Sequence, residues 1–180
     1  MAFVPPANDL IRAAFPDSLT LDVPRQGGFK AVYHAQTTRD LEAFKLLWLP
    51  AAGTTEQQLG IRRENLGRAQ REVALLGRVT APEVVRLGSI PAQIVPIGVE
   101  EYLGYSEEWL DGPNLMELSF GPRAAPLPPE PECRRLLRSL FRAIQAIWQL
   151  GAVHRDIKPC NVIKLADANR PFVLLDLGIA

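Results

Sequence analysis

The stretch Gly151-Ala152-Val153-His154-Arg155-Asp156-Ile157-Lys158-Pro159-Cys160-Asn161 says more about this chain than any other segment, and Leu175-Asp176-Leu177-Gly178 completes it. It places a carboxylate (Asp156), an ammonium (Lys158) and an amide (Asn161) within one short loop. A second carboxylate, Asp176, follows fifteen residues after Asn161 at the end of an apolar run. A carboxylate held beside a hydroxyl orients it and takes its proton, and a positioned base of this kind contributes about 10²–10⁴-fold in rate. An amide oxygen and a carboxylate are the hard oxygen ligands that magnesium prefers. Upstream, Leu136, Leu137, Leu140, Phe141, Ile144, Ile147 and Trp148 recur at helical spacing. They predict a helix over 133–150 with that set as its buried stripe and Gly151 as its C-cap. His-Arg-Asp or Asp-Leu-Gly alone would be an ordinary turn. The order, the spacing and the capped helix in front of them set this pair apart.

The bulk properties narrow the setting. With 180 residues the chain is one ordinary domain or the front part of a larger one, and 47% apolar residues suffice for a core. A formal net charge of zero gives no bulk attraction to nucleic acid or to acidic lipid. Sixteen prolines and thirteen glycines predict many turns. Cys133 and Cys160 fit neither a disulfide framework nor a zinc spacing, and read as reduced thiols of a cytoplasmic protein. The first residues lack the basic start and apolar run of a signal peptide. No stretch reaches the roughly 18 apolar residues of a membrane helix.

Outward from the loop, residues 1–18 read as an irregular or briefly helical lead-in. Short strands are expected at 19–23, 29–36 and 42–49, the last two joined by the polar turn Thr37-Thr38-Arg39-Asp40. A helix is expected over 56–79, with Leu66, Ala69, Val73, Leu76 and Val79 on its apolar face and Pro82 beyond its end. Strands follow at 84–87, 94–99 and 102–110. The proline-rich segment 121–131 reads as a surface loop, and 161–165 with 172–175 as a small strand pair. The fold class is therefore α+β, in two lobes, and not an alternating βαβ sheet.

With these motifs the chain resembles the protein kinases, of the serine/threonine type, over roughly residues 21–180. The resemblance implies an antiparallel N-lobe sheet with one main helix over 19–110, then a hinge and an incomplete helical C-lobe over 111–180. It gives Asp156 the role of base and lets Lys158 put charge on the migrating phosphoryl group. It makes Asn161 and Asp176 the magnesium ligands. Asp-Leu-Gly stands for Asp-Phe-Gly and keeps an apolar plug beside the metal ligand. Lys45, in Ala43-Phe44-Lys45-Leu46, resembles the strand lysine that holds the ATP phosphates and pairs with a helix glutamate. Glu56, Glu64 and Glu72 are available for that pairing. Glu72 is favoured, because the run from it to Leu87 resembles the passage from helix to strand, and Glu64 is the runner-up.

The phosphate loop departs furthest from the family pattern. In Arg25-Gln26-Gly27-Gly28-Phe29-Lys30-Ala31-Val32 only the middle glycine, Gly27, is kept, with Gly28 beside it, and Arg25 and Lys30 stand where glycines are usual. In Tyr105 to Gly112 the alignment assigns hinge contacts with adenine to Glu108 and Leu110, and sets Asn114 near the ribose. Glu107 falls where an apolar pocket residue is expected. Ala81-Pro82-Glu83 spells a kinase motif in the wrong place, and reads as a turn. The implied function is transfer of the γ-phosphoryl group of ATP, with Mg²⁺, to a serine or threonine hydroxyl of a protein. The alternative is a kinase-like nucleotide-binding or regulatory module with little transfer. A partner chain or further C-terminal segment would cover the C-lobe, and neither nucleic acid nor membrane is expected as a partner.

Overall fold

The computed structural model describes residues 3–16, 18–22, 24–50, 55–120 and 129–177. The expected features at Val23, at Gly178 and over 121–128 lie outside the described residues. The chain divides into two compact units, Met1–Gln70 with Leu87–Trp109 and Arg71–Arg86 with Leu110–Ala180. Residues 71–86, which a division of the chain at 110 assigns to the first part, thus pack with the second.

The first unit is built on an antiparallel sheet. Its strands are β1 (Ser18–Leu21), β2 (Arg25–Gln26), β3 (Lys30–Thr37), β4 (Leu41–Leu49), β5 (Gln93–Ile97) and β6 (Glu100–Glu108). They run in the order β1-β3-β4-β6-β5, with β2 paired to β3. The turn between β3 and β4 is set by Thr37, whose Oγ1 accepts from the amides of Arg39 and Asp40 at 3.2 and 3.1 Å and donates to the Asp40 carbonyl at 2.9 Å. Alternation along the strands gives each face its own side chains. Ala31, Tyr33 and Ala35 of β3, Phe44 and Leu46 of β4 and Tyr102 of β6 fill one face. Lys45 and Leu47, one residue out of step, belong to the other.

A helix covers the first of these faces. The lead-in forms α1 (Asn8–Ala14), tied down by Asn8 Nδ2 donating to the Leu21 carbonyl at 3.0 Å. Ile11 and Phe15 are fully buried in the sheet's core. Phe15 meets Phe44 edge to face, ring centroids 5.0 Å apart. It also lies over Gly104, where a Cβ atom would come within 2.4 Å of its ring. A glycine is therefore needed in the middle of β6 so that the ring can approach the backbone.

The helix α2 (Glu56–Leu76) begins in the first unit and ends in the second. Its buried positions are Asn65, Ala69, Glu72, Leu75 and Leu76. The expected stripe is corrected here, since Leu66, Val73 and Val79 are only half-buried. The buried face is turned by about one residue and carries two polar groups, one of which, Asn65, donates to the Trp48 carbonyl at 3.1 Å. Apolar periodicity cannot register a buried stripe that includes an amide and a carboxylate.

The second unit holds α3 (Leu115–Phe120), α4 (Glu130–Gln149), a short 3₁₀ turn at Pro159–Asn161, and the hairpin β7 (Val162–Lys164) and β8 (Phe172–Leu174). Residues 84–87, expected as a strand, form only isolated bridges, one of them parallel to β8 at Leu174. Ala81-Pro82-Glu83 is a turn, closed by the Val84 amide donating to the Ala81 carbonyl at 3.1 Å. Helix α4 ends as expected. Gly151 has φ +78°, its amide donates to the Trp148 carbonyl at 2.8 Å, and the Ala152 amide reaches Ile147 at 3.3 Å. These are the two bonds of a Schellman cap. The expected buried stripe of α4 is half right. Ile147 is buried, with Ser139 and Ala143, whereas Leu137, Phe141 and Trp148 are exposed. Periodicity shows which residues are apolar; what covers them must come from elsewhere.

Candidate active site

The loop that follows α4 is held by hydrogen bonds to the end of β8. The buried His154 donates from Nε2 to the Leu175 carbonyl at 2.9 Å, and its Nδ1 accepts from the Asp156 amide at 3.3 Å. Together these bonds select one imidazole tautomer. The Leu175 amide donates in turn to the Asn161 carbonyl at 2.8 Å. Leu175 is thus pinned through both its N–H and its C=O, and the next residue is Asp176. The structure therefore ties Asp156 and Asn161 to Leu175, the residue before Asp176, through the His154 side chain and one backbone hydrogen bond across more than a dozen residues of chain.

Two residues show that this arrangement is imposed. Arg155 (φ +61°) and Asp176 (φ +63°) are the non-glycine residues with left-handed backbone among the described residues. Each such conformation costs about 1–3 kcal/mol and persists where the surroundings dictate it. One flanks Asp156 and the other is the carboxylate at the end of the hairpin.

Within the loop, Lys158 Nζ donates to Asp156 Oδ2 at 2.5 Å. Asn161 Nδ2 donates to the same oxygen at 3.1 Å and to the Asp156 carbonyl at 3.0 Å. Both side-chain donors converge on Oδ2, and neither engages Oδ1. The pair is solvent-facing, with 46% of the Lys158 side chain exposed and 27% of that of Asp156. The hydrogen bond to Asp156 holds the Lys158 pKa above its ordinary value, with the charge of Asp176 among the smaller contributions in the same direction.

A magnesium ion is the cofactor that these residues imply. Among the described residues no three His, Cys, Asp or Glu side chains group as a metal site. Magnesium does not require one, because it binds through one or two protein oxygens, water and phosphate. The donor set fits: Asn161 commits its Nδ2 to Asp156, which leaves its Oδ1 for a hard cation. The Asp176 carboxylate stands one residue beyond the Leu175–Asn161 bond.

In the first unit, Lys45 Nζ donates to Glu107 Oε1 at 2.5 Å, and both side chains are buried, at 7% and 3% exposure. Sheet register explains the meeting. Lys45 lies opposite Tyr105 on β6, and Glu107 is two residues further on, so the two are diagonal neighbours on one face. The ammonium also stands 5.6 Å from the centroid of the Tyr105 ring. This carboxylate was legible as a departure from the resemblance but not as the lysine's partner. The available signal was a single base, Lys45, in an apolar strand, which is costly to bury without a carboxylate beside it; several acids stand on the paired strands, and only the register selects Glu107.

The remaining candidates are placed as follows. Glu72 is a buried residue of α2 in the second unit. The Gly27 amide closes the turn into β3 by donating to the Lys30 carbonyl at 2.8 Å, and a Cβ atom at Gly28 would meet nothing within 4 Å. Glu108 ends β6, and Leu110 opens the second unit just after Trp109. Asn114 is the N-cap of α3: its Oδ1 accepts from the Glu117 amide at 2.8 Å, and Glu117 Oε2 accepts from the Asn114 amide at 3.1 Å. This is a capping box, whose Asn-x-x-Glu spacing stands in the sequence. A further buried acid, Glu83, accepts from Arg142 of α4 at 3.2 Å.

A family model of the protein kinase domain matches residues 26–180, and the chain belongs to this family. It is similar to the serine/threonine-protein kinase PknE of Mycobacterium bovis, 31% identical over 160 residues that make up 86% of this chain and 24% of that protein. It is also 26% identical over 159 residues to the mitogen-activated protein kinase kinase kinase MST11 of Pyricularia oryzae, covering 86% of this chain and 16% of the relative. The chain thus spans a quarter or less of the length of these curated relatives. Among solved structures, the PknI kinase domain of Mycobacterium tuberculosis superposes with a TM-score of 0.62 at 20% identity, covering 91% of this chain and 62% of that one. The fold is the kinase fold, α+β with an antiparallel N-lobe sheet. Among the described residues no helix is long and apolar enough to cross a membrane.

Proposed function

We propose that this chain carries the ATP- and magnesium-dependent core of a serine/threonine protein kinase, with an N-lobe over 19–110 and a hinge and partial C-lobe over 111–180. The observation that carries this reading is the bonded set Asp156–Lys158–Asn161, fastened through His154 and Leu175 to Asp176. The substrate hydroxyl oxygen attacks the γ-phosphorus as its proton passes to Asp156 Oδ1. The bond from the γ-phosphorus to the β–γ bridging oxygen breaks, and ADP leaves. Lys158 keeps positive charge next to the transferred group. Asn161 and Asp176 would hold magnesium, which would neutralise charge on the phosphate oxygens. Lys45 engages the phosphates, and Glu72 keeps the helix-glutamate role that the resemblance gives it. Glu108 and Leu110 offer backbone groups to adenine, Asn114 lies toward the ribose, and Gly27-Gly28 lie along the phosphates.

The partners under this reading are a protein bearing a serine or threonine hydroxyl and, over the outward Leu137, Phe141 and Trp148 of α4, further polypeptide. The second reading, a nucleotide-binding module with little transfer, draws support from two observations. Lys45 is already neutralised by a buried acid, and the Gly27 amide is spent on its own turn. Transfer of labelled phosphate from ATP–Mg²⁺ to a generic protein substrate separates the two. The kinase reading expects transfer that falls by about 10²–10⁴-fold in Asp156→Asn. Nucleotide-induced thermal stabilisation without any transfer in the wild type selects the second reading.

A further inference from the structure

We infer that Glu107 is an affinity-determining residue: an internal carboxylate that competes with the phosphates of the nucleotide for the Lys45 ammonium. This deepens the nucleotide-binding reading above and rests on it. Lys45 and Glu107 are diagonal neighbours across β4 and β6, 2.5 Å apart, in a side-chain environment that is almost dry. An ion pair in such surroundings is screened little, so its charge is felt strongly by any third ion that approaches. A polyphosphate that takes up the Lys45 ammonium must therefore share it with Glu107, or displace that carboxylate, and it meets the repulsion of a like charge as it does so. The apolar part of a nucleotide meets no such competitor. The charge of the carboxylate thus tunes the phosphate contribution to binding, and Glu107→Gln, of nearly the same size, keeps the pocket wall that the neutral base and ribose meet.

The opposite charge on the same side of the sheet supports this assignment. Lys45 and Glu107 are buried ions with apolar or aromatic neighbours along their strands, Phe44, Leu46 and Leu47 on β4 and Leu103 and Tyr105 on β6; the other buried polar side chains of these strands, Glu42 and Ser106, accept from the backbone amides of Ser89 and Ile90. Neutralising a buried lysine inside its own sheet lets the first unit fold without nucleotide. A lysine given a counter-charge within its own sheet has part of its burial cost offset before any nucleotide binds. The same device makes the free protein self-sufficient and weakens its hold on ATP.

The test compares ATP–Mg²⁺ with adenosine by calorimetric titration in the wild type and in Glu107→Gln, which keeps a carbonyl oxygen for the lysine but removes the charge. The expected result is ATP–Mg²⁺ binding tightened by about tenfold, within the usual range for coupled sites, and adenosine changed by less than about twofold. Thermal stabilisation by ATP–Mg²⁺ should grow in parallel. If Glu107→Gln does not fold, Glu107→Asp takes its place, with the carboxylate drawn back by one methylene. It should tighten ATP–Mg²⁺ by about twofold or more against unchanged adenosine, since Coulomb coupling weakens with distance. Equal shifts for the two ligands, or no tightening of ATP–Mg²⁺, overturn this inference alone. Binding of neither ligand by any form of the protein overturns the nucleotide reading, and this inference with it.

Discussion

Two lysine–carboxylate pairs of the same 2.5 Å length stand in opposite surroundings. Lys45–Glu107 is buried in the sheet of the first unit; Lys158–Asp156 faces solvent in the second. The buried pair joins residues 62 positions apart and belongs to the architecture, because neither strand can bury its charge without the other. The exposed pair joins residues two positions apart, and each of its charges would be comfortable in water without the other. The same geometry therefore does two jobs. In the first unit it satisfies ions that folding has trapped. In the second it sets the position of the groups to which the proposed function assigns the chemistry.

The comparison predicts a stability effect in one pair and an activity effect in the other. Lys45→Met removes the cation and leaves the buried Glu107 without it, which should destabilise the protein by about 3–5 kcal/mol in urea denaturation. The double variant Lys45→Met with Glu107→Leu should regain most of that loss, because replacing both charges by apolar groups removes the burial penalty together with the attraction. A single variant within 1 kcal/mol of the wild type would mean that the pair is open to water, and the contrast would collapse.

A second large effect concerns the first unit and none of its charges. Phe15 is fully buried against Phe44 and over Gly104, yet it lies before residue 26, where the family match begins. Phe15→Ala should cost about 3–5 kcal/mol, the usual range for a buried phenylalanine. Thermal melting followed by far-ultraviolet circular dichroism checks it. A melting temperature unchanged from the wild type would show that α1 is an ornament and that the sheet's core closes without it.

The motif pattern of the loop stood in the sequence, and α1 as part of a core did not, for a physical reason. Asp156, Lys158, Asn161 and Asp176 stand at short spacings, so their pattern survives in one dimension. The same holds for the Gly151 cap and the Thr37–Asp40 turn, which are local. Ile11 and Phe15 matter because of what lies across from them, on strands 30 to 90 residues away, and seven residues of helix leave too short a period to read. The outward half of the α4 stripe fails differently. Leu137, Phe141 and Trp148 are spaced for burial, and the cover that spacing anticipates is no property of the helix itself. Glu107 lies between these cases, since its partner becomes visible only once the β4–β6 register is known.

The exposed pair gives a smaller stability effect. Lys158→Met should change stability by less than about 1 kcal/mol, as solvent-facing ion pairs do, while phosphate transfer falls far more than stability does. The pH dependence has a definite sign. The Lys158 pKa is raised by its bond to Asp156, so the pair's small contribution is fully present below the ordinary lysine pKa and disappears as pH rises through the shifted value. Stability curves of the wild type and Lys158→Met should therefore run parallel through neutral pH and converge in strong alkali. Divergence near pH 7 would mean that this pair, too, is part of the architecture.

The smallest effect at neutral pH returns to the sheet. The Tyr33 hydroxyl is buried and has no hydrogen-bond partner among the described residues. Tyr33→Phe should then leave stability unchanged within about 1 kcal/mol or raise it slightly, because the polar atom removed was unsatisfied. Above neutrality the same residue becomes visible. Burial, with a smaller contribution from Tyr102, pushes its pKa up to about 12 from the ordinary 10.0. The unfolded chain ionises first, so the stabilisation tied to the neutral phenol is complete below pH 10 and is lost as pH rises toward 12. Over that window the wild type should lose up to about 1.4 kcal/mol per pH unit more than Tyr33→Phe, the slope of one proton. Equal slopes would place Tyr33 in water, and with it the face of the sheet that α1 covers.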